Sequence, residues 1–133
     1  MTINFFAPGE IPQPPEKVKI EAFTVEVYPD RWRLKVNINL TPFRVRPNVA
    51  IVLLRNAEPV QVVADMTIIE TMHNQMEFTM HIRGVDDPVG SYTLKARLYY
   101  EQGVHEPADE AQLPVEIPPA GELPDEQEDS QGM

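Results

Sequence analysis

Cysteine is absent from the 133 residues, so neither a disulfide framework nor a thiolate metal site exists, and burial must supply the stability. Serine is almost absent. Ser91 opens an alternating segment and Ser130 lies in an acidic stretch, and neither has the surroundings of an activated nucleophile. The glycines, at 9, 84, 90, 103, 121 and 132, all stand six or more residues apart. Loops that cradle a phosphate on bare backbone need glycines close together, so mononucleotide and dinucleotide sites are excluded, and no cofactor is expected. No apolar run approaches the roughly 18–20 residues that span a bilayer. The start, "MTINFFAPGEIPQPPEKV", also lacks a basic region followed by a long apolar stretch. The expectation is a cytoplasmic chain without membrane contact.

Basic residues are missing from one whole region. Residues 1–97 hold all 11 Lys and Arg with 11 of the 21 acids, while residues 98–133 hold the other 10 acids and no base. The net charge of −10 therefore belongs to the C-terminal part. Nucleic-acid binding draws its affinity from phosphate neutralisation by Lys and Arg, so a neutral body with an acidic end argues against it.

Composition divides the chain into three. Residues 1–16, with Pro8, Pro12, Pro14 and Pro15, read as an extended proline-rich arm. Residues 17–118 carry the alternating apolar pattern of a folded domain. Residues 119–133 are acidic and nearly free of large apolar groups, which predicts a disordered tail.

The folded part reads as strands, because period 2 recurs and turn residues punctuate it about every ten residues. In "DRWRLKVNINLTP", residues 30–42, Trp32, Leu34, Val36, Ile38 and Leu40 face one way and Arg31, Arg33, Lys35, Asn37 and Asn39 the other. The turn signal "YPDR" predicts a hairpin pairing Val27 with Trp32, Val25 with Leu34 and Phe23 with Val36. Alternation breaks at Ala22 and Phe23, which predicts a β-bulge that shifts Ile20 onto Ile38. The same register sets Glu26 opposite Arg33. Further strands are predicted at 48–55, 60–69, 76–83, 91–101 and 111–117, making seven. A short connection would pair the fourth with the fifth as a hairpin and bring Asp65 close to His81. Pro114 has no N–H for a ladder, which places the last strand at an edge. A competing reading makes residues 64–82 one helix with Ile69, Met72, Met76 and Met80 as its stripe. Against it stand Ile68, Phe78 and Ile82, which fall off that stripe, and a run of β-branched residues.

Seven short strands predict an all-β, antiparallel two-sheet sandwich. At the sixth strand, "DDPVGSYTLKARLY", residues 86–99, resembles the immunoglobulin-like or fibronectin-III-like pattern. There a turn with Asp and Gly leads into a core Tyr and alternating apolar residues. Tyr92 matches the tyrosine of the corner motif, and Leu94 stands where antibody domains place their second cysteine. One extra residue lies between Asp87 and Gly90, and Trp32 opens the second strand instead of lying in the third. The resemblance implies a fold and not a function.

Four kinds of site follow. His81 with Asp65 would suit acid–base work if a third group joined them; otherwise they make an ordinary cross-strand pair. Glu101, His105, Glu106, Asp109 and Glu110 could hold a divalent cation within one acidic loop, although their spacing matches no known binding loop. Either would make a small hydrolase. Arg31, Arg33, Lys35, His81 and Arg83, extended by Arg44 and Arg46, form a basic face if the second and fifth strands are neighbours. It could take an anion or an acidic peptide, or simply be a mixed-charge solvated surface. An outward Tyr99 would serve sugar binding only alongside further coplanar rings.

The leading expectation is a non-enzymatic module that binds a protein, a second copy included, through a sheet edge and "VAIVLL", residues 49–54. Val49, Ile51, Val52 and Leu54 would be its contact residues. Phe5 and Phe6 of the arm, or another subunit, would cover a strand that is apolar on both sides.

Overall fold

The computed structural model describes residues 11–100 and 109–119. Strands β1 (Ile20–Val27), β2 (Arg33–Leu40), β3 (Asn48–Arg55), β4 (Gln61–Ile68), β5 (Gln75–His81), β6 (Gly90–Tyr99) and β7 (Asp109–Ile117) follow one 3-10 turn, Pro15–Lys17. They form two antiparallel sheets, ordered β1-β2-β5 and β4-β3-β6-β7. This is the expected all-β sandwich of seven strands. Among the described residues no helix is long and apolar enough to cross a membrane.

The core is one layer of side chains from both inner faces. Leu34, Val36, Ile38 and Leu40 of β2 meet Val49, Ile51 and Leu53 of β3 and Tyr92, Leu94, Ala96 and Leu98 of β6, all buried. Alternation builds this layer because successive side chains of a strand point to opposite faces. Tyr92 carries the only polar atom on the inner face of its strand, and its hydroxyl donates to the Pro88 carbonyl at 2.6 Å. That bond ties the 86–89 turn to the strand it precedes, as the corner motif implies. Pro114 lies on β7, an edge strand, where its missing N–H costs no ladder bond.

Two expected pairings are corrected. In the first hairpin Val27 pairs with Leu34, Val25 with Val36 and Phe23 with Ile38, two residues from the predicted register. The loop is longer than the turn signal suggested. Arg31 adopts a left-handed φ of 67°, and the Asp30 carboxylate accepts the Trp32 N–H at 2.9 Å, so four residues separate Tyr28 from Arg33. A shift of two preserves the faces, so the core is unaffected. The bulge is present, between Ile20 and Ala22.

The second correction is topological, because β4 and β5 belong to different sheets. Their connection crosses the end of the sandwich. It is pinned there by the Thr71 N–H on the Pro47 carbonyl at 2.9 Å and the Glu70 N–H on Asn48 Oδ1 at 2.8 Å. Met66 and Ile68, like Met76 and Phe78, pack against the common core, but from opposite sheets and not along a shared ladder.

The two lateral sides differ. At one, the Ile20 N–H of β1 donates to Asp109 Oδ2 of β7 at 2.8 Å and joins the sheets. At the other, β4 and β5 leave a gap. It is bridged at one end by the Arg83 N–H on the Val63 carbonyl and the Gln61 amide on the Gly84 carbonyl, each 2.9 Å. Gly84 sits at φ 83°, a conformation that glycine adopts without strain, and a Cβ there would meet the Gln61 amide at 3.2 Å.

Candidate interaction surface

The basic half of β2 is spent within its own sheet. Lys35 Nζ lies 3.4 Å from Glu26 Oε1 on β1, and this contact raises the Lys35 pKa above its ordinary value. Arg33 bonds Asp30 at 2.8 Å and stacks on the Tyr28 ring, 4.2 Å from its centroid. Burial alone would raise the Asp30 carboxyl, but the Trp32 N–H and the Arg33 guanidinium outweigh it and hold the group below the usual carboxylate range. Arg31 approaches Asp87 at 3.7 Å. β2 and β5 are neighbours as the basic-face reading required, with Arg33 opposite His81 and Lys35 opposite Thr79.

Asp65 and His81 are not a cross-strand pair. Both line a depression of about 510 Å³ in the β4–β5 gap, together with Val63, Thr79, Met80 and Arg83. Asp65 nevertheless belongs to the ladder with Val52, and His81 to the ladder with Arg33. Among the described residues no hydrogen bond or ion pair joins the two. His73 stands exposed in the 69–74 connection, its N–H on Thr71 Oγ1 at 3.3 Å.

Of the acidic-loop residues, Glu101, His105 and Glu106 lie outside the described residues. Asp109 already accepts the Ile20 N–H, and Glu110 sits on the outer face of β7 opposite Arg97. Among the described residues no group of three His, Cys, Asp or Glu is placed to hold a metal ion.

The "VAIVLL" strand divides cleanly. Val49, Ile51 and Leu53 are wholly in the core, whereas Ala50, Val52 and Leu54 are half-buried on the outer face of the four-stranded sheet. Val49 and Ile51 therefore have no surface to offer, and Val52 and Leu54 do. Phe5 and Phe6 lie outside the described residues.

Around Val52 and Leu54 the register assembles a defined surface. Asp65 and Lys95 flank Val52, Thr67 and Arg97 flank Ala50, and Val62, 55% exposed, pairs with Leu54. On the far side Gln112 lies beside Lys95 and Glu110 beside Arg97. All of these except Leu54 line a depression of about 610 Å³ whose floor is Ala50 and Val52. Arg97 stacks on Tyr99 at 4.8 Å, and among the described residues no carboxylate closes on Lys95 or Arg97 within ion-pair distance. Sequence reading placed Ala50 within the contact strand but missed Val62, Lys95 and Arg97. They are the off-phase residues of strands already assigned, and their convergence depends on β3 pairing with both β4 and β6.

No family model and no curated protein matches the sequence. Solved structures are similar in fold. A glycosyl hydrolase family 2 member from Bacteroides cellulosilyticus aligns with 75% of this chain at 12% identity and a TM-score of 0.50. A Bifidobacterium dentium β-glucuronidase, complexed with coumarin-3-O-glucuronide, aligns with 75% at 16% identity and a TM-score of 0.50. The alignments cover 15% and 18% of those chains, so what is shared is a β-sandwich that forms one part of much longer proteins.

Proposed function

We propose that this chain is a non-catalytic interaction module whose outer β4-β3-β6-β7 face binds protein, and that the protein it binds is a second copy of itself. The observation that carries the reading is the surface around Val52. An apolar strip, Ala50, Val52, Leu54 and Val62, is bordered by two cations, Lys95 and Arg97, and two carboxylates, Asp65 and Glu110. A face bearing both signs without internal ion pairs is complementary to itself when turned over by a two-fold axis, the commonest symmetry of homo-oligomers. The strip supplies the burial, and the charges set the register.

A hydrolytic role would need Asp65 and His81 to act together, and they sit in separate ladders. A sugar platform would need several rings on one face, and Tyr99, beneath Arg97, is the ring this face presents. The activities of the glycosyl hydrolase neighbours belong to those whole chains. Their likeness lends this chain a fold.

Sedimentation at micromolar concentration tests the proposal. The expected result is a dimer that weakens as salt rises. The Lys95→Glu/Arg97→Glu variant should be a folded monomer, and adding Asp65→Lys and Glu110→Lys to it should restore association. A strictly monomeric parent chain, or a dimer indifferent to these changes, overturns it.

A further inference from the structure

The β4–β5 gap is the other unfilled part of the molecule. Its end near the 69–74 connection holds a depression of about 530 Å³, lined by Ile68, Ile69, Met72, Met76 and Phe78 among others. Ile69 and Met72 are 58% and 66% exposed, among the most exposed large hydrophobics described. It is bordered by two strand edges that have no ladder partner among the described residues. Such an opening invites an extended segment whose backbone bonds an edge and whose alternate side chains enter the gap.

The proline-rich arm arrives at this same end. The Gln13 N–H donates to the Pro42 carbonyl at 2.9 Å, and the Arg44 N–H donates to the Gln13 carbonyl at 3.0 Å, so the arm is tied to the β2–β3 loop. That loop and the adjoining end of β2 also hold the mouth of the gap, through Pro47 to Thr71 and Leu40 to Asn74. Ten residues precede Ile11 and reach about 33–36 Å when extended. An eight-residue strand such as β4 is about 26 Å long. Residues 1–9 carry no charged side chain, and Ile3 and Phe5 share one side of an extended segment while the side chains of Asn4 and Phe6 take the other.

We infer that residues 3–6 of the chain's own arm lie along the β4–β5 opening, with Ile3 and Phe5 seated against Met72, Met76 and Phe78. The match is between the apolar half of a lining that also holds Glu70, Thr71, His73, Gln75 and Glu77 and a segment without charged side chains, in a place where methionines adapt to the shape of what they contact. This arm contact is separate from the outer-face dimer, since it uses the other side of β4.

Methyl-labelled methionine tests it in the full chain. Phe rings against Met72 and Met76 shift those methyl resonances by ring current, so Phe5→Ser/Phe6→Ser should move both while the methyl signal of Met80, buried in the core, stays fixed. The same variant should lose Met72 to peroxide several-fold faster than the parent. Resonances of Met72 and Met76 that do not move, in a variant that remains folded, overturn the inference. A change present in concentrated samples and lost on dilution also overturns it, because it would place the arm on a second copy. Repeating the measurement in Lys95→Glu/Arg97→Glu keeps the result independent of the outer-face dimer.

Discussion

On the outer face of the three-stranded sheet Lys35 meets Glu26, and Arg33 meets both Asp30 and Tyr28, so the sheet satisfies its own charges. On the outer face of the four-stranded sheet Lys95, Arg97, Asp65 and Glu110 border an apolar strip without closing on one another. Both faces come from alternating strands of similar length. They differ in what the interior strands carry outward: β2 presents Arg33, Lys35, Asn37 and Asn39, whereas of the two interior strands of the other sheet β3 presents Ala50, Val52 and Leu54 and β6 presents Ser91, Thr93, Lys95 and Arg97. A polar middle strand gives its edge strands something to bond. On the other face Ser91 of β6 bonds Glu116 of β7, but apolar β3 separates Asp65 from Lys95, and among the described residues Lys95 and Arg97 make no ion pair.

Substitution along β3 puts the contrast to its hardest test. Leu53→Ala removes a wholly buried side chain and should cost about 2–5 kcal/mol in denaturant unfolding. Val52→Ala, one residue earlier and on the outer face, should leave unfolding nearly unchanged yet weaken association. Equal losses of stability would mean that β3 is covered on both faces within one molecule. The inner faces also have a pH signature. Burial pushes the Tyr100 phenol up to about 12, above the roughly 10 of an unfolded chain. The phenol is neutral when protonated, so its contribution is complete below pH 10 and is lost as pH rises from there through 12. Stability measured against pH should fall across that window, and Tyr100→Phe should flatten the fall. The smallest effect belongs to the three-stranded face. Lys35→Gln should lower stability slightly, and high salt should erase the difference from the parent. A large loss there would mean that this outer face is buried by something else.

Much of this was readable from the residues. "SYTLKARLYY" announces its inward set without ambiguity, and the Tyr92 corner and the edge position of Pro114 follow from local chemistry alone. The first hairpin was harder. Pro29 and Asp30 mark a turn, but a left-handed Arg31 lengthens it by two residues, and a non-glycine residue gives no warning of that conformation. The partner of β4 was harder still. Period 2 says that Met66 and Ile68 point inward, and it says the same whether β5 lies beside them or across the core from them. Thr71, Pro47 and Asn48 decide between the two through hydrogen bonds between segments more than 20 residues apart. The candidate surface inherits that difficulty, because Val62, Ala50, Lys95 and Glu110 come together through three separate strand pairings.

The irregularity where β4 meets β3 has a consequence for the β4–β5 gap. An extra residue opposite Leu53 and Leu54 turns the carbonyl of Val63 toward Arg83, and Gln61 reaches Gly84 alongside it, so the gap is shut at that end and open at the other. A channel with a stop admits a guest from one direction and to a limited depth. Selection there falls on how far a segment extends before its first proline or charge as much as on which side chains it brings.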